Sequence, residues 1–189
     1  LKIGGVSKWE IYTAANDGNY NIYSQGQGIK LVITPTGNVG IGYNDPQTLL
    51  HLKKSTGAII RLQSEINNTE GGLYGGVEWY NTDPSTYGPQ VVSNIMSYQA
   101  DSLGRGGYIT FGTTQGYSEA NPIERMRITS WGNVGIGATS PGAKLVIGTV
   151  AGASGGQLNF ERTDGAETGQ IYMDTSNDLN IKNSGGSGD

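Results

Sequence analysis

The residues best suited to holding a ligand lie at and beyond a Trp-Tyr pair. Trp79-Tyr80 borders Asn81-Thr82-Asp83-Pro84-Ser85-Thr86-Tyr87-Gly88-Pro89, a polar loop with a tyrosine near its tip. Sugar rings stack their C–H faces on flat aromatic surfaces, while Asn and Asp take hydroxyl hydrogen bonds. Trp79, Tyr80, Asn81, Asp83 and Tyr87 are therefore the candidate glycan-binding set. The plainer reading, and the commoner outcome for such a loop, is that Trp79 covers the end of a thin core and the loop only connects strands.

Hydrolytic chemistry has less to work with. A Ser-His-Asp arrangement needs a histidine as general base, and the single histidine, His51, sits between two leucines beside Lys53 and Lys54. It reads as structural or surface. One histidine and no cysteine cannot supply the ligands of a hydrolytic zinc. Paired carboxylates remain, since glycan-cleaving grooves are built on them. The available acids are Glu78, Asp83, Asp101, Glu119, Glu124, Glu161, Asp164, Glu167, Asp174 and Asp178, most of them in turn-like, polar surroundings where solvated carboxylates belong. No catalytic residue is assigned, and the chain is not expected to be an enzyme. The oxygen-rich stretches Asn16–Asn19 and Asp174–Asp178 suit calcium in type, but neither has EF-hand spacing. Turn formation accounts for both, so no metal and no cofactor is expected.

The elements that must position these residues are organised by a repeat. Gly37-Asn38-Val39-Gly40-Ile41-Gly42, with Pro46 and Leu50 after it, returns as Gly132-Asn133-Val134-Gly135-Ile136-Gly137 with Pro141 and Leu145, an offset of 132 − 37 = 95 residues. Ile33-Thr34 and Ile128-Thr129 precede the two copies, and Leu50/Leu52 match Leu145/Ile147. No lysine follows the glycines and no helix pattern comes after, so neither copy is a nucleotide loop. Val39 and Ile41 alternate with glycine, as in a strand whose glycine face is pressed against another backbone. Recurrence at fixed spacing marks modules that bury apolar faces against neighbours.

Composition narrows the classes further. Glycine is 32 of 189 residues, charged residues are 15 % and hydrophobic ones 35 %; such a chain can hardly close a thick core alone, and sharing a thin core between copies is the direct remedy. The net charge is −4 with no basic cluster, so nothing here would neutralise a run of phosphates and no nucleic-acid partner is expected. No apolar run approaches 18 residues, so no membrane insertion is expected. The chain opens on Leu1 and closes on Ser184-Gly185-Gly186-Ser187-Gly188-Asp189, which reads as a segment of something longer.

Every stretch reads as strand or turn, in three modules. Residues 1–57 end in the first hexapeptide, with strands around Trp9/Ile11 and Tyr20/Ile22 joined by the hairpin signal Asn16-Asp17-Gly18-Asn19. Residues 58–152 end in the second; Ile60 and Leu62 open a strand there, although 58–68 also fits a short helix. Residues 153–189 begin a third module, with strands at Gln157–Phe160, Gln170–Met173 and Leu179–Lys182.

Arg125-Met126-Arg127-Ile128-Thr129, the hexapeptide and Pro141-x-x-x-Leu145 together resemble the repeated shaft module of bacteriophage tail fibres and tailspikes, which often lies upstream of an intramolecular chaperone. Asp174 to Ile181 resembles the start of such a module. The resemblance implies an all-β, elongated homotrimeric shaft of intertwined or prism-like strands. It would act in the virion's tail fibre, positioning a tip that meets a host surface glycan or outer-membrane receptor. Val39, Ile41, Leu50, Leu52, Val134, Ile136, Leu145 and Ile147 would then form the trimer core. Arg125 or Arg127 would pair with an acid of a neighbouring chain while Met126 and Ile128 face that core; the functional alternative for these arginines is a grip on an anionic sugar. Rival expectations are a polysaccharide-degrading tailspike segment and a secreted adhesin or injection-system fibre.

Overall fold

Alternating side chains and glycine-marked turns make this chain a succession of short strands. The computed structural model describes residues 2–3, 6–7, 9–13, 15–65, 69–83, 89–115, 121–148, 157–161, 168–173 and 179–183, and among them there is no helix. The chain divides into two units, Leu1–Arg61 and Leu62–Asp189. In the first, β1 (Lys2–Ile3) pairs with β2 (Val6–Ser7), and β3 (Trp9–Thr13), β4 (Tyr20–Ser24), β5 (Gly28–Ile33), β6 (Val39–Ile41) and β7 (Leu50–Leu52) form a five-stranded sheet in chain order. In the second, β8 (Leu73–Asn81), β9 (Gln90–Gln99), β10 (Gly107–Thr113), β11 (Ile123–Ile128), β12 (Val134–Ile136) and β13 (Leu145–Ile147) form a six-stranded sheet, also in chain order. A three-stranded sheet follows, of β14 (Gln157–Glu161), β15 (Thr168–Met173) and β16 (Leu179–Asn183).

The turns follow from local chemistry. Between β3 and β4, Gly18 takes φ of 68°, and the Asp17 carboxylate accepts from both the backbone N–H (2.9 Å) and the side-chain amide (2.8 Å) of Asn19. Asp17 is thereby occupied in its own turn. Between β4 and β5, Gln27 N–H donates to Ser24 O at 2.9 Å, with Gly26 and Gly28 both at positive φ.

Ala58 to Glu65, read from sequence as the opening of a strand or a short helix, is neither. Its apolar residues have no strand beside them to pair with, and Ile59 is 88 % exposed. Leu62 instead lies against Gly75, where an added Cβ would come within 2.9 Å of the leucine Cβ.

The two main sheets match strand for strand. Ile11, Ile22, Leu31, Ile41 and Leu52 are successive cross-strand partners from β3 to β7. Ile95, Phe111, Met126, Ile136 and Ile147 are the same from β9 to β13, and β8 adds Val77 at the edge. Every neighbouring pair is antiparallel except β6–β7 and β12–β13. These parallel pairs are joined by residues 42–49 and 137–144, fewer than the roughly dozen a parallel crossover ordinarily takes.

Candidate functional site

Each hexapeptide is a small machine for making that short parallel connection. Gly37 and Gly132 turn the chain at φ of 89° and 73°, with open space around them. Thr34 and Thr129 then clip the turn: each hydroxyl accepts the N–H of the following asparagine, at 3.0 and 3.1 Å. The asparagines reach onward, Asn38 Nδ2 donating to Pro46 O and Asn133 Nδ2 to Pro141 O, both at 3.0 Å. Pro46 and Pro141 are buried by this docking. The central glycines make room for it, since a Cβ on Gly40 would stand 2.1 Å from Tyr43 O, and one on Gly135 2.1 Å from Ala138 O. The close approach is thus to the motif's own returning chain. That is where the third glycine acts too: Gly42 and Gly137 sit at positive φ against Lys53 O and Gly148 O.

The last glycine also completes a β-bulge. Ile22 pairs with Leu31 but Tyr23 with Ile29, leaving Lys30 as the extra residue; Phe111 pairs with Met126 but Gly112 with Glu124, leaving Arg125. The carbonyls of these extra residues are taken by Gly42 N–H (3.0 Å) and Gly137 N–H (2.8 Å). A bulge resets the side-chain alternation, so residues three apart come to one face. In β5 these are Ile29 and Val32. In β11 they are Glu124 and Arg127, which form a two-pronged ion pair, with Nη2 to Oε2 at 2.7 Å. Arg127 therefore has an acid partner within its own chain. The bulge, which sequence alone did not reveal, is the reason. The Glu124 hydrogen bond holds the guanidinium more firmly protonated, against the opposing effect of burial. Arg125 reaches Thr113, its Nε donating to Oγ1 at 3.2 Å.

The eight proposed core residues come together as two patches, one on each sheet. Val39 and Leu50 are partners, as are Ile41 and Leu52; Val134 and Leu145, and Ile136 and Ile147, repeat the arrangement. Their faces are open: Ile41 and Ile136 are 44 % and 42 % exposed. The opposite faces are the covered ones, and they are poor in hydrocarbon. Their middle rows read Tyr12, Asn21, Val32, Gly40, His51 and Met96, Thr110, Arg127, Gly135, Val146. Val32 and Met96 are the buried hydrophobic side chains among the described residues.

No protein-family model matches the chain, and none of the curated proteins compared with it does.

The aromatic loop is only partly gathered. Trp79 and Tyr80 are adjacent and exposed in β8, where the register with β9 shifts. Asn81 Oδ1 accepts from Asp83 N–H at 3.0 Å, closing a local turn. Tyr87 lies outside the described residues. Among the acids, Asp101 is held below the ordinary carboxylate range, chiefly by the N–H of Arg105 and also by that of Leu103. Glu119, Asp164, Glu167, Asp174 and Asp178 lie outside the described residues, as does the side chain of Glu161. Among the described residues no three His, Asp or Glu side chains gather to hold a metal. His51 packs at 4.5 Å from the Tyr43 ring.

Two clefts went unseen from sequence, because their residues come from scattered stretches. One, of about 480 Å3, lies beside the second motif and includes Trp131, Tyr108 and Arg127. The Arg127 guanidinium lies 4.7 Å from the centre of the Tyr108 ring. The other, of about 620 Å3, lies in the first unit and is lined by Tyr12, Tyr23, Tyr43, Lys53 and Lys54 among others.

Proposed function

We propose that this chain is a segment of an elongated, repeat-built homotrimeric shaft, of the kind found in phage tail fibres, whose work is mechanical: holding a receptor-binding tip on a stiff rod. It acts by shared burial, without catalysis, as part of the virion outside the host cell. The observation that carries this reading is the pair of open apolar rows, Ile11 to Leu52 on one sheet and Val77 to Ile147 on the other. Apart from Val32, Met96 and Val146, the middle rows of the faces that the chain covers for itself hold glycine and residues with a polar group, while the rows it leaves open are apolar throughout. Completing the burial of these half-covered side chains is worth roughly 1 kcal/mol each. Two rows therefore contribute on the order of 10 kcal/mol per chain before the entropy of association is subtracted. The number three comes from the family resemblance; the rows themselves ask for a partner with the same apolar edge.

Light scattering tests this directly. The chain should have three times its single-chain mass of 19.9 kDa. A double change, Ile41→Asp with Ile136→Asp, should reduce it to a single chain and abolish the cooperative thermal transition, because each interface would then bury charges without partners. A monodisperse 19.9 kDa species that melts sharply, and that tolerates both aspartates as surface substitutions, would overturn the proposal.

A further inference from the structure

We infer that the cleft on the first sheet is a binding site for an anionic saccharide, a sugar unit carrying a carboxylate or a phosphate. The chain has a net charge of −4 with 16 acids, so most of its cations would be expected to find acidic neighbours. Lys53 and Lys54 line the cleft and Lys30 joins them in the pocket adjoining it. Among the described residues none of the three makes an ion pair. Lys30 Nζ donates only to Gln27 O, at 2.9 Å, and Lys53 Nζ rests over the Tyr43 ring at 4.0 Å. Among the described residues no carboxylate lines the cleft. The acid facing it across the register is Glu10, the partner of Tyr23, and Asp45 follows the lining residue Asn44 in sequence.

The walls suit a sugar. Tyr12 and Tyr23 offer ring faces for C–H stacking, all three tyrosines offer hydroxyls for hydrogen bonds, and the Asn44 amide adds a donor and an acceptor. The second cleft makes the contrast. Its arginine already spends two nitrogens on Glu124, and Glu70 stands at its wall, so its charge is satisfied within the chain. The first cleft has charge to offer a ligand. Tyr12 and Tyr23 rise from the face opposite the Ile11-to-Leu52 row, so covering that row leaves their side of the cleft open, while the adjoining pocket of Lys30 borders the row at Ile41 and Leu52.

The test is ligand-observed saturation-transfer NMR on the full chain with three probes: tetragalacturonate, glucose 1-phosphate and maltotetraose. One or both charged probes should bind, about tenfold more weakly in the double variant Lys53→Gln/Lys54→Gln and progressively less as salt rises. Maltotetraose should bind at least about tenfold more weakly than the better charged probe. The control Arg105→Gln, an exposed cation in a turn of the other unit, should leave binding within about twofold. Binding of the uronate alone assigns a carboxylate-bearing sugar, and of the sugar phosphate alone a phosphorylated one. Equal binding of maltotetraose, indifference to the lysine changes, or no transfer from either charged probe at about 10 mM would overturn the inference. Light scattering on the same samples keeps this outcome separate from that of the shaft proposal.

Discussion

The two copies of the hexapeptide share their backbone and their apolar row, and differ in what each lays on the opposite face. Residues 34, 37, 38, 42 and 46 and residues 129, 132, 133, 137 and 141 make the same hydrogen bonds at the same offset, down to the carbonyl of the bulged residue. Yet Tyr43 is replaced by Ala138, Lys53 by Gly148, Thr36 by Trp131, and the Ile29/Val32 pair by Glu124/Arg127. What stays constant is what the short parallel connection requires sterically. What varies lies on the face turned away from the apolar rows, where each copy carries a different cleft. Scaffold and decoration are thus separable, and substitutions in the motif should break both sheets alike, while substitutions in the decoration should not.

The largest effect should come from the central glycines. Gly40→Ala and Gly135→Ala each place a methyl group 2.1 Å from a backbone oxygen, which a side-chain shift cannot relieve. Each should cost at least about 3 kcal/mol and lower the thermal midpoint accordingly. Gly132→Ala, with nothing within 4 Å and only a positive φ to violate, should cost about 1 kcal/mol. Equal losses from Gly135→Ala and Gly132→Ala, read by thermal denaturation, would refute the assignment of separate roles.

The asparagine clip comes next. Asn38→Asp and Asn133→Asp keep the shape but exchange the donor facing Pro46 O or Pro141 O for an acceptor. The part-buried carbonyl loses its partner and meets a like charge, a cost of about 1–3 kcal/mol. Both copies should respond by the same amount, within about 0.5 kcal/mol, if the connection is equivalent in each. Urea denaturation of the two variants checks this, and a loss confined to one copy would break the equivalence.

Much of this was legible in the chain. Asp17-Gly18 and the alternation of Trp9/Ile11 with Tyr20/Ile22 foretell the first hairpin, and the repeated hexapeptide foretells matching strands, because turn chemistry and period-2 patterning are local. The apolar sets Val39/Ile41 and Val134/Ile136 do fall on single faces. The bulges at Lys30 and Arg125 were hidden, since an extra residue is defined only by the strand opposite it. Without them Glu124 and Arg127 appear to face opposite ways, so their pairing could not be read. Ala58 to Glu65 misled for a related reason: an apolar run signals a strand only where another strand accepts it. The tyrosine–lysine cleft was invisible because Tyr12, Tyr23, Tyr43 and Lys53 share no spacing and meet only after five strands align.

The smallest effect is also the most discriminating, because it converts one copy's decoration into the other's. Replacing Glu124 and Arg127 together by Ile and Val gives β11 the apolar pair of β5. The two side chains are 22 % and 18 % exposed, so much of their charge is already withdrawn from water and the pair gains little over hydrocarbon of similar bulk. The double replacement should change stability by less than about 1 kcal/mol in either direction. Arg127→Val alone should cost more, about 1–2 kcal/mol, by leaving the half-buried Glu124 carboxylate without its donor. A double-mutant cycle by urea denaturation measures the coupling. If the double variant is as damaged as Arg127→Val alone, the ion pair is part of the scaffold, and the division between constant backbone and variable face fails at this position.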